Sequence, residues 1–243
     1  MQNTTGFSIS SKALARCFFG AYLLLLLAHA GATYVYVFLE AEAGFTPWSW
    51  VYFDLEANIP TLYTITLLGL ASLLCWLVSP LGKIGVEGKW GWRILGLAFL
   101  FVAADEYLTI HETLDKILKN SVETTGALHY VWIVPYAAIA AFFGLILLPW
   151  FWKLTRQVKT LFVVSGLLYL GGAIGMEIVG GLIITDPANI AIEQNWKIPE
   201  FVLAITIEES LEMIGLSLFI WTIFSYISAP TGRLGITINT GEV

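Results

Sequence analysis

The chain has 243 residues, of which 58% are hydrophobic and 12% charged, and its mean hydropathy is +0.78. A soluble domain is nearer half apolar and a quarter charged, so this composition places the chain in a membrane and excludes an ordinary soluble fold. The net charge of −6 comes without any dense basic cluster, which excludes nucleic acid as a partner.

A helix needs about 20 mostly apolar residues to cross the hydrocarbon core. In chain order, the first candidate covers residues 17–39 and carries His29. Lys12 and Arg16, the run "CFFGAYLLLLL" and then "AHA" also fit a signal peptide cleaved after Ala30. Apolar residues continue through "GATYVYVFL" to Leu39, however, which favours a retained crossing. Residues 44–59 are aromatic and carry Asp54 and Glu56, so they are expected to lie along the interface, where Trp and Tyr rings are favoured. The second crossing is expected at 60–77. Cys17 and Cys75 are isolated in apolar stretches and are expected to be packed thiols.

The third crossing is a question of length. The apolar run from Ile94 to Ala104 would be only about 17 Å long at 1.5 Å per residue, against a core of about 30 Å. The helix must therefore continue through Asp105 and Glu106, and its expected extent is 94–112. At 100° per residue Asp105 and Glu112 would share one face. The fourth crossing is expected at 130–152, with His129 at its start and Pro135 kinking it. The fifth, 161–185, holds Glu177 among Gly171, Gly172, Gly175, Gly180 and Gly181, small residues that let helices approach closely. The sixth, 201–227, must include Glu208, Glu209 and Glu212, because neither apolar piece flanking them is long enough to cross alone.

Six crossings and no soluble part give a single integral membrane domain over 1–243: an all-α, polytopic helix bundle. Lys12, Arg16, Lys83, Lys89, Arg93, Lys153, Arg156, Lys159 and Arg233 then share one side, with Lys116, Lys119 and Lys197 on the other. Positive residues accumulate on the cytoplasmic side, so both termini are expected inside, in a bacterial inner membrane.

By the helical rise, the acids of helices three, five and six converge in the outer half of the bilayer, with His29 at a similar level. Charges at that depth cost ~2.5–3.5 kcal/mol each, and no crossing has an interior Lys or Arg to offset them. Protons or bound cations must supply the compensation. Carboxylates with imidazole suit iron, manganese or zinc. The expected ligands of a divalent metal are Asp105, His111, Glu112, Glu177, Glu208, Glu212 and His29, with Glu209 or Glu106 as general base. Neither Glu-x-x-His nor HExxH occurs, so the pattern matches neither the di-iron carboxylate bundles nor the zincin peptidases.

The reading is a metal-dependent membrane enzyme acting on a lipid-soluble or periplasmic small molecule. The rivals are a proton- or cation-coupled transporter, a structural layer of carboxyl pairs fixing helix register, and an assembly subunit. The segments "DEYLTIHETL" and "EESLEMIG" resemble those of uncharacterised bacterial multi-pass membrane proteins with DE…HE and EExLE helices. The resemblance implies that these acids act as a unit and implies no substrate.

Overall fold

The computed structural model describes residues 4–39, 46–81, 88–122, 124–192, 194–228 and 233–239. Residues 44 and 45 of the expected interfacial segment, and Lys83, lie outside them. The architecture is a helix bundle with α1 (Ser11–Phe38), α2 (Ile59–Leu81), α3 (Lys89–Leu108), α4 (Ile110–Lys119), α5 (Ile133–Phe151), α6 (Arg156–Leu170), α7 (Glu177–Ile184) and α8 (Pro199–Ile227). Five elements are long and apolar enough to cross a membrane: α1, α2, α5, α8, and α6 with α7 as one 29-residue span. The bent pair α3–α4 passes the same test when its two helices are taken together, as a broken span or a re-entrant loop, which brings the number to as many as six.

The all-α expectation holds for the bundle, and one short ribbon is added to it. Thr4–Ser10 (β1) pairs antiparallel with Arg233–Asn239 (β2), Ser10 lying opposite Arg233. The segment "RLGITIN" is rich in β-branched residues, which suit a paired strand. The ribbon puts the start of α1 and the end of α8 at the same end of the molecule, as an even number of crossings requires.

α8 is the central element and packs against α1, α2, α6 and α7, while α3 packs along α2. Half of α8's apolar window is buried in protein (50%), against 11% for α1 and for α5, so those two helices face lipid on most sides. Leu24 of α1 and Leu145 of α5 accordingly point outward. The larger core joins Leu67, Leu68, Ala71 and Cys75 of α2 to Leu216, Phe219, Ile220 and Ile223 of α8. A smaller one joins Ala32 and Tyr36 of α1 to Tyr52, Ile198, Phe201 and Ile205. Cys75 is a packed thiol as expected, but Cys17 is exposed on the outer surface of α1.

Two sequence expectations are corrected. Pro135 does not kink the fourth crossing, because α5 begins only at Ile133. Pro135 thus sits in the first turn, where its missing N–H costs no hydrogen bond. The third crossing runs through Asp105 and Glu106 as its length demands, but it stops at Leu108. Thr109 takes a left-handed conformation (φ 48°), and α4 leaves at 68° across the end of the bundle.

Candidate functional site

The corner between α3 and α4 is held by Asp105. Its Oδ1 accepts the His111 backbone N–H (3.0 Å) and the Tyr136 hydroxyl (2.6 Å), while its Oδ2 lies 2.9 Å from His111 Nδ1. The backbone bond satisfies one of the donors left unpaired at the start of α4, where a negative charge is also favoured by the helix dipole. The Asp105–Glu112 face expected of a straight helix is therefore not formed. Asp105 is buried and turned to His111, whereas Glu112 lies beyond the corner and pairs with Lys116 at 3.0 Å.

Asp115 repeats the device one turn further on. It receives Val131 N–H (2.6 Å), Trp132 N–H (3.3 Å) and Lys119 Nζ (2.6 Å), tying α4 to the start of α5. These bonds fix Trp132, whose indole Nε1–H donates to Glu177 Oε1 at 3.2 Å. The His111 and Trp132 rings stand 5.0 Å apart.

Between α4, α7, α8 and the loop before α2 lies a cavity of about 260 Å³. Its acidic lining is Asp54, Glu56, Glu112, Asp115, Glu177, Glu208 and Glu209, with His111 and Lys116 beside them, the lysine paired with Glu112. Glu177 and Glu208 come from different helices and line the same cavity. Carboxyl groups crowded together out of water need protons or a cation among them. Among the described residues, none of Glu177, Glu208, Glu209 and Glu212 forms an ion pair with a basic side chain.

The close approach of α8 depends on two glycines. A Cβ at Gly172 would meet the Glu208 carbonyl oxygen at 2.7 Å and Glu212 Cγ at 3.0 Å. One at Gly215 would meet Tyr169 N at 2.8 Å and Ser165 O at 2.9 Å. Gly172 lies within a π-helical stretch, Gly171–Met176, that joins α6 to α7. Such stretches are rare and recur at functional sites.

The remaining expected site residues divide. Glu177, Glu208 and Glu209 reach the cavity, as does His111. Since Asp105 engages His111 Nδ1, the nitrogen left for chemistry is Nε2. Glu212 is buried beneath, against Gly172, and neither it nor Glu106 is part of the lining. His29 departs from the metal set. Its Nδ1 accepts the Phe53 N–H at 3.1 Å, so Nε2 carries the proton and donates to Thr206 Oγ1 at 2.9 Å. The Thr206 hydroxyl passes its own proton to the Val202 carbonyl at 2.6 Å. His29 is thus a saturated structural residue that pins the loop before α2 to α1 and α8. Among the described residues no group of three or more His, Cys, Asp or Glu is placed to hold a metal ion, so the expected ligands do not form a ready-made centre.

Sequence reasoning did not assign Asp54, Glu56, Asp115, Trp132 or Tyr136 to the site. Only Trp132 and Tyr136 left a signal, an i, i+4 pair of hydrogen-bonding aromatics at the start of a crossing. Asp54 and Glu56 are both solvent-exposed on one side and crowded by the surrounding chain on the other. That desolvation, with repulsion from Glu177, Glu56 and Glu112, lifts the Asp54 carboxyl to about 7. Glu56 is pushed up in the same way by burial and by Glu112, Asp105 and Glu177, with His111 opposing.

A model of the family described as a domain of unknown function (DUF8692) matches residues 16–227. No curated protein and no solved structure is detectably similar to the chain.

Proposed function

The chain belongs to the DUF8692 family, and from its own geometry we propose that it is an integral membrane protein that binds a divalent cation in the acidic cavity. The observation that carries this reading is that Glu177, Glu208 and Glu209 line one cavity with further acids, and none of the three forms an ion pair with a basic side chain among the described residues. Glu177, Glu208 and Glu209 would hold the cation, which would supply the compensating charge. His111 Nε2 on the same wall adds an imidazole, which widens the fitting metals to iron, manganese and zinc.

The Asp105–His111 pair supports an enzymatic version of this reading. A carboxylate on Nδ1 fixes the ring and raises the basicity of Nε2, as it does for metal-bound or proton-accepting histidines. The substrate is then a small molecule entering from the α4 end, which the Lys and Arg distribution puts outside the cell. Direct metal chemistry draws on Glu177, Glu208 and His111, with Glu209 as the proton acceptor.

A second reading, a cation-coupled transporter, draws on the two interruptions near the acids: the π-helical stretch of α6–α7 and the Thr109 break. Discontinuous helices at ion sites are a transporter device. The deciding experiment is a titration of purified, detergent-solubilised protein with Mn²⁺ after chelator treatment, with elemental analysis. Saturable binding near one ion per chain, weakened at least tenfold in Glu177→Gln and Glu208→Gln, is expected. Absence of saturable binding sinks the cation site. Cation-dependent proton flux in liposomes selects the transporter.

A further inference from the structure

A second cavity of about 330 Å³ adjoins the acidic one and is built from different material. Tyr36 comes from the end of α1, Trp50 and Tyr52 from the loop before α2, and Trp196 from the turn before α8. Asp54 and Glu56 complete the charged part of its wall and also line the acidic cavity, so the two spaces share an edge. Among the described residues the lining contains neither Lys nor Arg.

The rings are not stacked flat. Tyr36 and Tyr52 meet edge to face with centroids 5.2 Å apart, and Tyr36 and Trp196 are tilted at 6.2 Å. Tyr36 and Tyr52 are buried to 3% and 2% exposure, which fixes their orientation, while Trp50 at 47% lies at the mouth. The Tyr52 hydroxyl is buried and makes no hydrogen bond among the described residues.

Aromatic faces attract cations within about 6 Å of the ring centroid, and most strongly where water is excluded. A small inorganic ion holds its water and prefers oxygen donors, which the neighbouring cavity offers. An alkylated nitrogen is weakly hydrated, buries its carbon groups against rings and directs its charge to carboxylates. We propose that this pocket binds an organic ammonium group, with Trp50 and Trp196 against the alkylated nitrogen, the buried Tyr36 and Tyr52 rings packed behind them, and Asp54 and Glu56 as counter-charge. The ammonium belongs either to a lipid headgroup or to a soluble amine. The proposal stands apart from the metal reading and does not require it.

The test uses the full chain in a maltoside detergent at pH 8, above the Asp54 carboxyl's value of about 7, and titrates choline, followed by tryptophan fluorescence and calorimetry. Saturable binding is expected, at least tenfold weaker for the neutral isostere 3,3-dimethylbutan-1-ol. Trp196→Ala should weaken choline binding at least tenfold, and Asp54→Asn with Glu56→Gln at least fivefold. Should Trp196→Ala fail to fold, Trp50→Leu at the exposed mouth gives the same reading. Nanodiscs separate the sources. Phosphatidylcholine or phosphatidylethanolamine discs that abolish the choline binding seen in phosphatidylglycerol discs identify a lipid headgroup, and equal binding in all discs identifies a soluble amine. No saturable choline binding, equal affinity for the isostere, or unchanged affinity in the tryptophan variants overturns the proposal. Trp196 lines only the aromatic pocket and Glu208 only the acidic cavity, so a Mn²⁺ titration of Trp196→Ala and a choline titration of Glu208→Gln read failure of either site separately.

Discussion

Asp105 and His111 are joined twice, once through the His111 backbone N–H at 3.0 Å and once through its ring Nδ1 at 2.9 Å. The same carboxylate thus holds the corner of α3 and α4 and sets which imidazole nitrogen remains for the cavity.

Removing that carboxylate should be costly. Asp105→Ala leaves the His111 N–H and the Tyr136 hydroxyl without their acceptor, and hydrogen bonds to charged groups are worth about 1.5–3 kcal/mol each. A loss of about 3 kcal/mol is expected in thermal or denaturant unfolding of the solubilised protein. Tyr136→Phe, which deletes one of the three bonds, should lose about 1–2 kcal/mol. An Asp105→Ala variant as stable as wild type would refute the corner's role.

Thr109 is strained where it stands. A β-branched residue at φ 48° occupies the left-handed region that glycine enters freely. Thr109→Gly is expected to raise stability by about 1 kcal/mol, because relief of the strain exceeds the extra entropy of the unfolded chain. A fall in the unfolding midpoint would show that the threonine side chain contributes more than its backbone strain costs.

Gly215 admits no side chain without movement of backbone on α6, since Tyr169 N and Ser165 O are the atoms in the way. Gly215→Val should therefore destabilise by about 1–3 kcal/mol. Gly166 on α6 has open space around it, so Gly166→Ala serves as the neutral control. Equal stability of the two variants would contradict the close α6–α8 crossing.

The pH dependence follows from Asp54. Its carboxyl is held at about 7 in the folded protein, raised from its ordinary 3.8 chiefly by desolvation. A raised carboxyl makes its full contribution to stability below the unfolded value, and that contribution is lost as pH rises through the folded one. Between about pH 4 and 7 the unfolded chain has already released the proton that the folded chain keeps, so unfolding becomes progressively easier. Asp54→Asn should flatten this fall in unfolding midpoints recorded from pH 4 to 8. A wild-type curve that rises over the same window would contradict the assignment.

Much of the bundle was legible before any coordinates. Apolar length is a local quantity, so the six crossings and the inclusion of Asp105, Glu106 and Glu208 within helices could be read by comparing run length with bilayer thickness. The Thr109 break was not legible, because nothing in "EYLTIHET" marks a turn. It contains neither Gly nor Pro, and the bend is stabilised by a carboxylate four residues earlier and a tyrosine on another helix. His29 misled for a similar reason. A lone imidazole in an apolar run gives no sign of the Phe53 N–H and the Thr206 hydroxyl that saturate it.

The sequence alone determined that this protein lives in a bilayer as a bundle of apolar helices with acids within them, because hydrophobic length and charge are summed along the chain. Only the tertiary structure decided which acids line a cavity, which one braces a histidine, and where Tyr36 and Trp196 meet. Those pairings join residues far apart in the chain, and their geometry is set by how closely helices pack, down to a single missing Cβ at Gly172 and Gly215.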